Sequence, residues 1–472
     1  MKIEQIYTGC LAQGAYYIES EGEVAIIDPL REVKDYIAQA EENNAKIKYI
    51  FETHFHADFV SGHVTLSKET GAPIVYGPTA KPSFDAIIAT DGQEFKLGKI
   101  TIKALHTPGH TMESTTYLLK DENGKDHAIF SGDTLFLGDV GRPDLAQKAA
   151  NMTMEDLAGL SFDSLRNKIM PLADDVIVYP GHGAGSACGK NMMKETVDTL
   201  GNQKQMNYAL RADMTKEEFV KEVTEGLLPP PKYFPLNVKM NKEGYAHIDD
   251  VIAKGAQALS SDDFEAAANE TEALVLDVRH QSDFVKGHIP RSIFIGLKGG
   301  FAPWVGALIA DVKQPLLLVV DEGNEEEAIT RLSRVGFDNT IGYLKGGFAA
   351  WKSSGKQTDD LLSISAETFK DRLEANKDIP VFDVRKEGEF IAGHIEGANF
   401  TPLDDLNKYL SEFPEEEPFY MHCAGGYRSV IAASILKSRG IHNMIDIAGG
   451  MGAIKQVGIP VSDFVCPSTL KK

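Results

Sequence analysis

The sequence contains little cysteine or tryptophan, with 4 cysteines and 2 tryptophans among 472 residues. So few cysteines exclude a disulfide-built extracellular scaffold and favour a reducing cytosol, where a thiol can take part in chemistry. The sequence has no uninterrupted run of about 18 apolar residues, which argues against a membrane-spanning helix. The opening residues MKIEQIYTGC do not join a basic stretch to an apolar one, so we expect no secretory signal and a cytoplasmic location.

Basic residues are also in deficit. Lys and Arg number 48 against 69 Asp and Glu, which gives a net charge of −21. A chain this acidic binds nucleic acids and anionic membranes poorly, so we expect neither as a partner. Its hydrophobic share of 43% and charged share of 25% are ordinary for a globular protein. At roughly 100–200 residues per domain, the length predicts about three domains.

An internal repeat occupies the C-terminal part of the chain. Segments 274–290 and 380–396 share the residues of D-x-R and F-x-x-G-H-I at a constant offset of 106 positions. In each copy, apolar runs alternate with helical patterns, which indicates a parallel sheet with helices on both faces. We therefore predict two related α/β domains, a first copy at 260–360 and a second copy at 361–472.

The preceding residues have a different pattern of short apolar strands separated by helical stretches, which predicts a larger α/β domain over 1–255. The prolines of LLPPPKYFPL at 227–236 exclude a helix interior, and we expect this segment to cover a surface late in the domain. The segment KGAQALSSDD at 254–263 is the predicted linker to the first copy.

Histidines and aspartates recur directly after the apolar strands of the first domain. The segment THFHADFVSGH at 53–63 follows one strand, and HTPGHT, FSGDT and YPGHG follow others. Because alternate side chains of an extended segment share a face, His54, His56 and Asp58 are expected to converge. Strand ends are where α/β folds gather functional groups. We therefore predict one metal site there, with His110, Asp133 and His182 contributing from the other strand ends.

In this order, H-x-H-x-D, P-G-H, S-G-D and P-G-H resemble the metallo-β-lactamase superfamily over about residues 1–245. The resemblance implies an αββα sandwich with a metal at one edge. The usual motif H-x-H-x-D-H ends here in Phe59, which cannot ligate, so a second metal loses one ligand. With GDTLFLGDVGRPD at 132–144, the sequence is most similar to persulfide dioxygenases, relatives of glyoxalase II. Many of those dioxygenases keep the histidine that Phe59 replaces.

In that family one iron is held by residues that match His54, His110 and Asp133. Two histidines and one carboxylate form the facial triad of non-heme Fe(II) oxygenases. Catalytic zinc also uses this set, so the ligands alone leave both metals open. The resemblance favours one Fe(II) per chain over zinc. The residues expected to orient ligands and water are His56, Asp58 and His182, and the candidates for substrate binding are Arg142 and Cys188.

One cysteine lies in a loop suited to an anion. The segment HCAGGYRS at 422–429 follows the apolar FYM, a predicted strand, and precedes the predicted helix SVIAASIL. Backbone N–H groups and the helix dipole at such a junction stabilise a thiolate, which makes Cys423 a candidate nucleophile, and Arg428 adds positive charge. The other residues of this predicted cradle are Ala424, Gly425, Gly426, Tyr427 and Ser429.

Together with the D-V-R and F-x-x-G-H residues, this loop resembles that of rhodanese-like sulfurtransferase domains. In that family the loop cysteine carries a sulfane sulfur as a persulfide. In the first copy, Asp321 stands where Cys423 belongs, and glutamates at 325–327 replace Tyr427, Arg428 and Ser429. This loop has neither nucleophile nor cation. We therefore predict that the first copy is inactive and the second copy active.

The whole arrangement, an αββα metallo-β-lactamase sandwich followed by two rhodanese-like parallel-sheet α/β domains, resembles bacterial fusions of a persulfide dioxygenase with a sulfurtransferase. It implies oxidation of low-molecular-weight thiol persulfides by O2 to sulfite, coupled to sulfur transfer that gives thiosulfate, as in sulfide detoxification. The expected partners are these persulfides and O2, and the formation of homo-oligomers stays open. The alternatives are a glyoxalase-II-like thioester hydrolase that uses metal-bound hydroxide, and a non-catalytic sulfur carrier or sensor.

Overall fold

A computed structural model describes residues 1–462, and Cys466 lies outside the described residues. The chain divides into two compact units. The first unit contains Met1–Asp250 and Leu332–Asp338, and the second contains Val251–Arg331 and the chain from Asn339 onward. Over residues 1–462, no helix combines the length and the hydrophobicity that crossing a membrane requires.

The first unit is built on two six-stranded sheets. Its strands are β1 Lys2–Thr8, β2 Gln13–Ser20, β3 Glu23–Ile27, β4 Lys46–Phe51, β5 Ile74–Tyr76, β6 Ile87–Ile88, β7 Glu94–Leu97, β8 Ile100–His106, β9 Thr115–Lys120, β10 Asp126–Gly132, β11 Ile177–Pro180 and β12 Asp198–Thr199. The strand orders are β1-β2-β3-β4-β5-β6 and β12-β11-β10-β9-β8-β7. Both sheets are mixed: β3 to β6 pair in parallel, as do β10 and β11, whereas the remaining neighbours are antiparallel.

The helices of this part of the chain separate or follow its strands. They are α1 Lys34–Glu42, α2 His63–Thr70, α3 Gln147–Ala150, α4 Met154–Ser164, α5 Leu200–Met206, α6 Lys216–Thr224, α7 Phe234–Glu243 and α8 Ile248–Gly255, with a π-helical turn at Leu165–Ile169 and a 3-10 turn at Tyr208–Leu210. Thr153 and Thr215 begin α4 and α6 as capping boxes, in which the threonine hydroxyl accepts the N3 amide.

The core of the first unit confirms the αββα prediction. Tyr16, Phe51 and Phe130 pack between the two sheets and are fully buried. Tyr36 of α1 packs against the outer face of the first sheet, and Phe219 of α6 packs against that of the second. Each sheet therefore buries one face against the other sheet and its second face under helices, as an αββα sandwich requires.

The second unit contains two five-stranded sheets that are parallel throughout. The strands are β13 Ala258–Leu259, β14 Leu274–Asp277, β15 Ile293–Phe294, β16 Leu316–Val319, β17 Thr340–Leu344, β18 Ser363–Ile364, β19 Val381–Asp383, β20 Asn399–Phe400, β21 Phe419–His422 and β22 Met444–Ile447. The orders β13-β17-β16-β14-β15 and β18-β22-β21-β19-β20 are the same topology twice. The predicted pair of parallel-sheet domains is confirmed.

The helices of this unit are α9 Ser261–Thr271, α10 Gln281–Lys286, α11 Phe301–Leu308, α12 Glu325–Ser333, α13 Gly347–Ser353, α14 Ala366–Ala375, α15 Glu387–Ile391, α16 Arg428–Ser438 and α17 Gly450–Gln456, with 3-10 turns at Leu403–Lys408 and Leu410–Glu412. Residues 254–263, the predicted linker, contain regular structure. They end α8, form the edge strand β13 beside β17 and begin α9, because Ala258 and Leu259 find backbone partners there.

The residues that recur in both copies maintain the fold. The guanidinium of Arg279 donates to the carboxylate of Asp277 and to the carbonyl of Gly287. His288 stacks on Phe284 with ring centroids 3.9 Å apart. The second copy repeats these contacts with Asp383, Arg385, Gly393, Phe390 and His394. Since the first copy, which has no cysteine in the matching loop, contains the same buried pair and stack, their recurrence reflects folding and carries no evidence of catalysis.

Candidate metal centre and cysteine loop

Three predicted ligands meet at one edge of the sandwich in the first unit. The chain leaves β4 just before His54, β8 before His110 and β10 before Asp133. The Nε2 atoms of His54 and His110 lie 3.9 and 3.5 Å from Oδ2 of Asp133. All three residues are at most 3% exposed. One cation could therefore reach a donor atom of each residue.

Hydrogen bonds fix which nitrogen of each histidine faces this point. The hydroxyl of Thr53 donates to Asp28, so it accepts a hydrogen bond from Nδ1–H of His54, 3.0 Å away. Nδ1 of His110 donates to the carbonyl of Arg142 at 2.8 Å. Each Nε2 consequently presents a lone pair, the form that binds a metal. Burial and the neighbouring His56 lower the pKa of His54 well below its ordinary value, which keeps this ring neutral.

The carboxylate of Asp133 completes the fit. Its Oδ1 accepts from Nδ1–H of His182 at 2.8 Å, whereas the buried Oδ2 has no hydrogen-bond partner among the described residues. Burial alone would raise the pKa of Asp133, but His182, His54 and His110 lower it. A buried anionic oxygen with no donor is costly, and a bound cation relieves that cost. The donor set therefore fits a metal held by two histidines and one carboxylate.

Two motif glycines are required by close packing around Asp133. A Cβ at Gly181 would lie 2.6 Å from Oδ1 of Asp133, and a Cβ at Gly141 would lie 2.1 Å from its backbone oxygen. Neither position has room for a side chain, so the P-G-H motif and the G-D-V-G-R-P-D motif have a steric reason for their glycines.

Beside this point, Asp58, His182 and Cys188 form a further cluster of possible donor atoms. Nε2 of His182 lies 2.7 Å from Asp58, in an ion-pair contact without hydrogen-bond alignment. Despite burial, Asp133 and Asp58 raise the pKa of His182 to about 10. Phe59 is fully buried and packs on His56 with ring centroids 4.4 Å apart. His182 therefore lies between two carboxylates, those of Asp58 and Asp133.

The two substrate-binding candidates also lie beside the metal centre. The Sγ of Cys188 is within 4.8 Å of donor atoms of Asp58 and His182, and burial raises the pKa of its thiol. The guanidinium of Arg142 donates twice to Asp144 and to the carbonyls of Ala187 and Leu228. Arg142 thus braces neighbouring loops, including the proline-rich segment, and a substrate-binding role for it stays a prediction.

His56 lies beside His54, with ring centroids 4.2 Å apart, but its Nε2 does not face the point where the three ligands meet. Its Nε2 lies 3.1 Å from Asp28 and 3.4 Å from Glu52, in the interior. Residues 53, 54 and 57–59 form bends, so this segment is not a regular strand. Burial opposes protonation of His56, but Asp28 and Glu52 raise its pKa well above its ordinary value. Burial raises the pKa of Glu52 to about 7.

We expect His56→Ala to destabilise the first unit by about 3–5 kcal/mol, because it leaves buried carboxylates without their cation. Metal content should fall less than in His54→Ala. Urea unfolding followed by circular dichroism measures the loss. Both tryptophans, Trp304 and Trp351, lie in the second unit, so their fluorescence is an internal control. The matched control is His247→Ala, a half-exposed histidine paired with Glu69. Loss of metal with unchanged stability would contradict this assignment.

Sequence reasoning missed the residues that support the ligands. Thr53 orients His54. The carboxylate of Asp28 accepts hydrogen bonds from both the backbone N–H and the hydroxyl of Thr53. Asp28 follows the apolar strand β3, the same signal that marks the other site residues. Asn241 donates to the carbonyls of His56 and Phe59 from α7, and no local pattern points to it because it is far away in sequence.

In the second unit, Cys423 directly follows β21 and is 1% exposed. Its Sγ accepts the N–H of Gly426 at 3.1 Å. The carbonyls of Cys423 and Ala424 accept from Met451 and Gly452 at the start of α17, which fixes the loop from behind. Ala424 and Gly425 are exposed, whereas Gly426 and Ser429 are buried. An N–H aimed at the sulfur stabilises negative charge on it.

Arg428, the cationic residue of the Cys423 loop, forms an ion pair with Glu389. The guanidinium of Arg428 donates to both carboxylate oxygens of Glu389, at 2.6 and 2.8 Å. This hydrogen bond raises the pKa of Arg428, and the same pairing lowers the pKa of Glu389. Because Glu389 balances the charge, Arg428 fixes the start of α16 as much as it attracts an anion.

In the first copy, the loop that corresponds to the Cys423 loop uses its own oxygen atoms to accept hydrogen bonds from its backbone N–H groups. The N–H of Gly323 donates to the carboxylate of Glu325 at 2.8 Å, and the N–H of Asn324 donates to the carbonyl of Asp321. A cavity of about 430 Å³ remains beside Asp321 and Glu322. Internal carboxylates therefore occupy the place where an anionic sulfur would be held.

Comparison with known proteins agrees with this division of the chain. Residues 8–182 match the model of the metallo-beta-lactamase superfamily. Residues 260–354 and 365–456 each match the rhodanese-like domain.

Individual relatives cover different parts of the chain. The cytoplasmic hydroxyacylglutathione hydrolase of Arabidopsis thaliana is 33% identical and covers 39% of this chain and 67% of its own length. The human mitochondrial persulfide dioxygenase is 28% identical, over 46% of this chain and 78% of its own. A crystal structure of a metallo-beta-lactamase from Staphylococcus aureus is 30% identical with a TM-score of 0.63. That structure covers 73% of this chain and 98% of its own.

Proposed function

This chain belongs to the metallo-β-lactamase superfamily and carries two rhodanese-like domains, and we propose that it is an iron-dependent persulfide dioxygenase coupled to a sulfurtransferase. The observation that carries the proposal is the meeting of His54, His110 and Asp133 around one point. It is joined by Phe59, which stands in place of the last histidine of the usual motif and packs on His56. The same chain presents Cys423 with an N–H aimed at its sulfur. The proposed substrates are low-molecular-weight thiol persulfides and O2, in a reducing cytoplasm.

The first reaction is RSSH + O2 + H2O → RSH + SO3²⁻ + 2 H⁺, in which the sulfane sulfur loses four electrons and O2 gains them. One bound Fe(II) supplies the redox chemistry that O2 needs and that zinc lacks. Thr53 and the carbonyl of Arg142 keep the Nε2 lone pairs of His54 and His110 on the metal side. His182 holds Oδ1 of Asp133, so that Oδ2 remains available.

The second reaction takes place at Cys423. Its thiolate attacks the sulfane sulfur of a donor persulfide, a new S–S bond forms, and the donor thiolate leaves with the electron pair of the broken bond. Sulfite then attacks the outer sulfur of the cysteine persulfide, which releases thiosulfate and regenerates the thiolate. The N–H of Gly426 and the start of α16 stabilise the negative charge at both stages.

A thioester hydrolase of the glyoxalase II type is the second candidate. Its support is the hydroxyacylglutathione hydrolase relative, which is more similar in sequence than the dioxygenase over the aligned residues. Phe59 argues against it, because it removes one histidine ligand of a two-metal hydrolytic site.

Oxygen uptake and metal analysis separate these two candidates. Protein loaded with iron should contain one metal per chain and consume O2 when glutathione persulfide, coenzyme A persulfide or cysteine persulfide is added. Zinc-loaded protein should consume none. Hydrolysis of S-lactoylglutathione without oxygen uptake would reject the dioxygenase and establish the hydrolase. Multiple turnovers per chain would exclude a sulfur carrier or sensor.

The loop of the first copy gives a separate prediction. In the Cys423→Ser background, Asp321→Cys should not produce measurable sulfur transfer from thiosulfate. Glu325 already occupies a loop N–H, and Glu326 and Glu327 repel an anionic persulfide. Alkylation by iodoacetamide checks that the new thiol is accessible, and the Cys423→Ser protein is the control. Appreciable transfer would show that this copy needs only a nucleophile.

A further inference from the structure

The loop that carries Cys423 is held by the copy that has no nucleophile. Apart from Leu332–Asp338, the described residues of both copies lie in the second unit. The hydroxyl of Tyr427 donates to the carbonyl oxygen of Gly296, 2.7 Å away in the first copy. Its ring meets Phe294 edge-to-face, with centroids 5.8 Å apart. Tyr427 belongs to the same short loop as Cys423, so the sulfur site has a support outside its own domain.

Gly299 of the first copy makes room for this ring. A Cβ on Gly299 would lie 2.5, 2.7 and 2.9 Å from three carbons of the Tyr427 ring. Contacts this short are repulsive, and three ring atoms cannot all be relieved by a small rotation. Any side chain at Gly299 must therefore displace Tyr427.

The carbonyl of Gly296, which accepts the hydrogen bond from Tyr427, lies in a backbone segment held by further hydrogen bonds. On either side of Gly296, the N–H groups of Ile295 and Leu297 donate to carbonyls at the end of β14, each at 3.0 Å. The guanidinium of Arg331 donates to the carbonyl of Leu297 at 2.8 Å. A second tie joins α16 to the first copy, because the hydroxyl of Ser434 accepts the N–H of Phe294 at 3.0 Å.

The position of Tyr427 affects the hydrogen bond that reaches the sulfur of Cys423. Gly426, whose N–H donates to Sγ of Cys423, immediately precedes Tyr427 and has a φ of +90°. The peptide planes on both sides of Gly426 depend on where Tyr427 is held, because glycine itself imposes little restraint. A shift of the ring would turn the N–H away from the sulfur.

We propose that Tyr427 is a positioning residue for sulfur transfer, and that Gly296 and Gly299 of the inactive copy are its anchor. This inference rests on the proposed transfer at Cys423. It gives the first copy a role that needs neither a nucleophile nor a bound ligand: it keeps the N–H of Gly426 aimed at the sulfur while the persulfide forms and reacts.

Tyr427→Phe tests the hydrogen bond, and Gly299→Ala tests the anchor from the other domain. In the full chain, each should lower kcat for sulfur transfer from thiosulfate by about 3–10-fold, the range expected for one neutral hydrogen bond. The KM for thiosulfate should change less than twofold, because neither group is placed to touch the donor. The rate of Cys423 alkylation by iodoacetamide should fall in parallel with kcat.

Two matched variants serve as controls. Gly388→Ala adds a methyl group that meets no atom within 4 Å, and Tyr343→Phe removes a hydroxyl of the first copy outside this contact. Both should leave kcat within about 1.5-fold of the parent, since isolated surface changes have small effects. If Tyr427→Phe and Gly299→Ala act through one loop position, their double variant should lose less than the product of the two single losses.

The outcomes separate this inference from the function it rests on. Unchanged kcat and unchanged alkylation in Tyr427→Phe and Gly299→Ala, with Cys423→Ser inactive, would overturn the positioning role and leave Cys423 as sulfur carrier. A lower thermal midpoint with unchanged kcat would reduce the contact to a structural one and equally overturn it. Transfer that survives Cys423→Ser would reject the proposed function itself.

Discussion

Cys423→Ser is expected to abolish sulfur transfer, by about 10³-fold or more, while the metal stays bound and persulfide-dependent oxygen uptake continues. Serine is a poorer nucleophile and cannot form a persulfide, so the transfer cycle cannot begin. Cys423 and the predicted metal ligands belong to different units of the chain. We therefore expect sulfite to accumulate where thiosulfate would otherwise form.

Oxygen, sulfite and thiosulfate should be followed together in this variant. Cys10→Ser is the matched control, because Cys10 is a partly exposed thiol of the first unit. If transfer survives in Cys423→Ser, another cysteine carries the sulfur, and Cys188 beside the metal centre is the first to test. If oxygen uptake stops although iron remains bound, the two reactions share one obligatory pathway and their independence is disproved.

The second large effect is expected at the metal centre. Alanine at His54, His110 or Asp133 should reduce bound iron from one per chain to less than about a tenth, and oxygen uptake by more than about 100-fold. Each substitution removes one of three protein ligands, and the two that remain cannot hold the ion. Metal analysis and oxygen uptake on the same protein preparation measure both losses.

Sulfur transfer from thiosulfate should persist in these three variants, which separates loss of the metal from loss of the fold. His247→Ala, at a surface histidine, should keep its iron and its oxygen uptake. The assignment is wrong if the parent protein binds two metals per chain tightly, or if zinc-loaded protein consumes oxygen at the full rate.

Patterns in the sequence predicted the α/β class of each domain, and the resemblance to metallo-β-lactamases implied the αββα sandwich. Apolar strands followed by glycine-containing turns placed His54, His110 and Asp133 at strand ends, and strand ends of one sandwich meet at one edge for topological reasons. The constant offset of the D-V-R residues predicted two parallel-sheet domains, and Asp321 in place of Cys423 distinguished them chemically. These inferences depend on patterns within a few residues or on residue identity, which the chain displays directly.

Tertiary structure decided where the polar side chains point and what they contact. The ring of His56 lies 4.2 Å from that of His54, yet its Nε2 faces Asp28 and Glu52 instead of the point where the predicted metal ligands meet. The pairing of Arg428 with Glu389 and the hydrogen bond from Tyr427 to Gly296 join segments 39 and 131 positions apart. No local pattern encodes such contacts, since packing of whole elements brings their partners together.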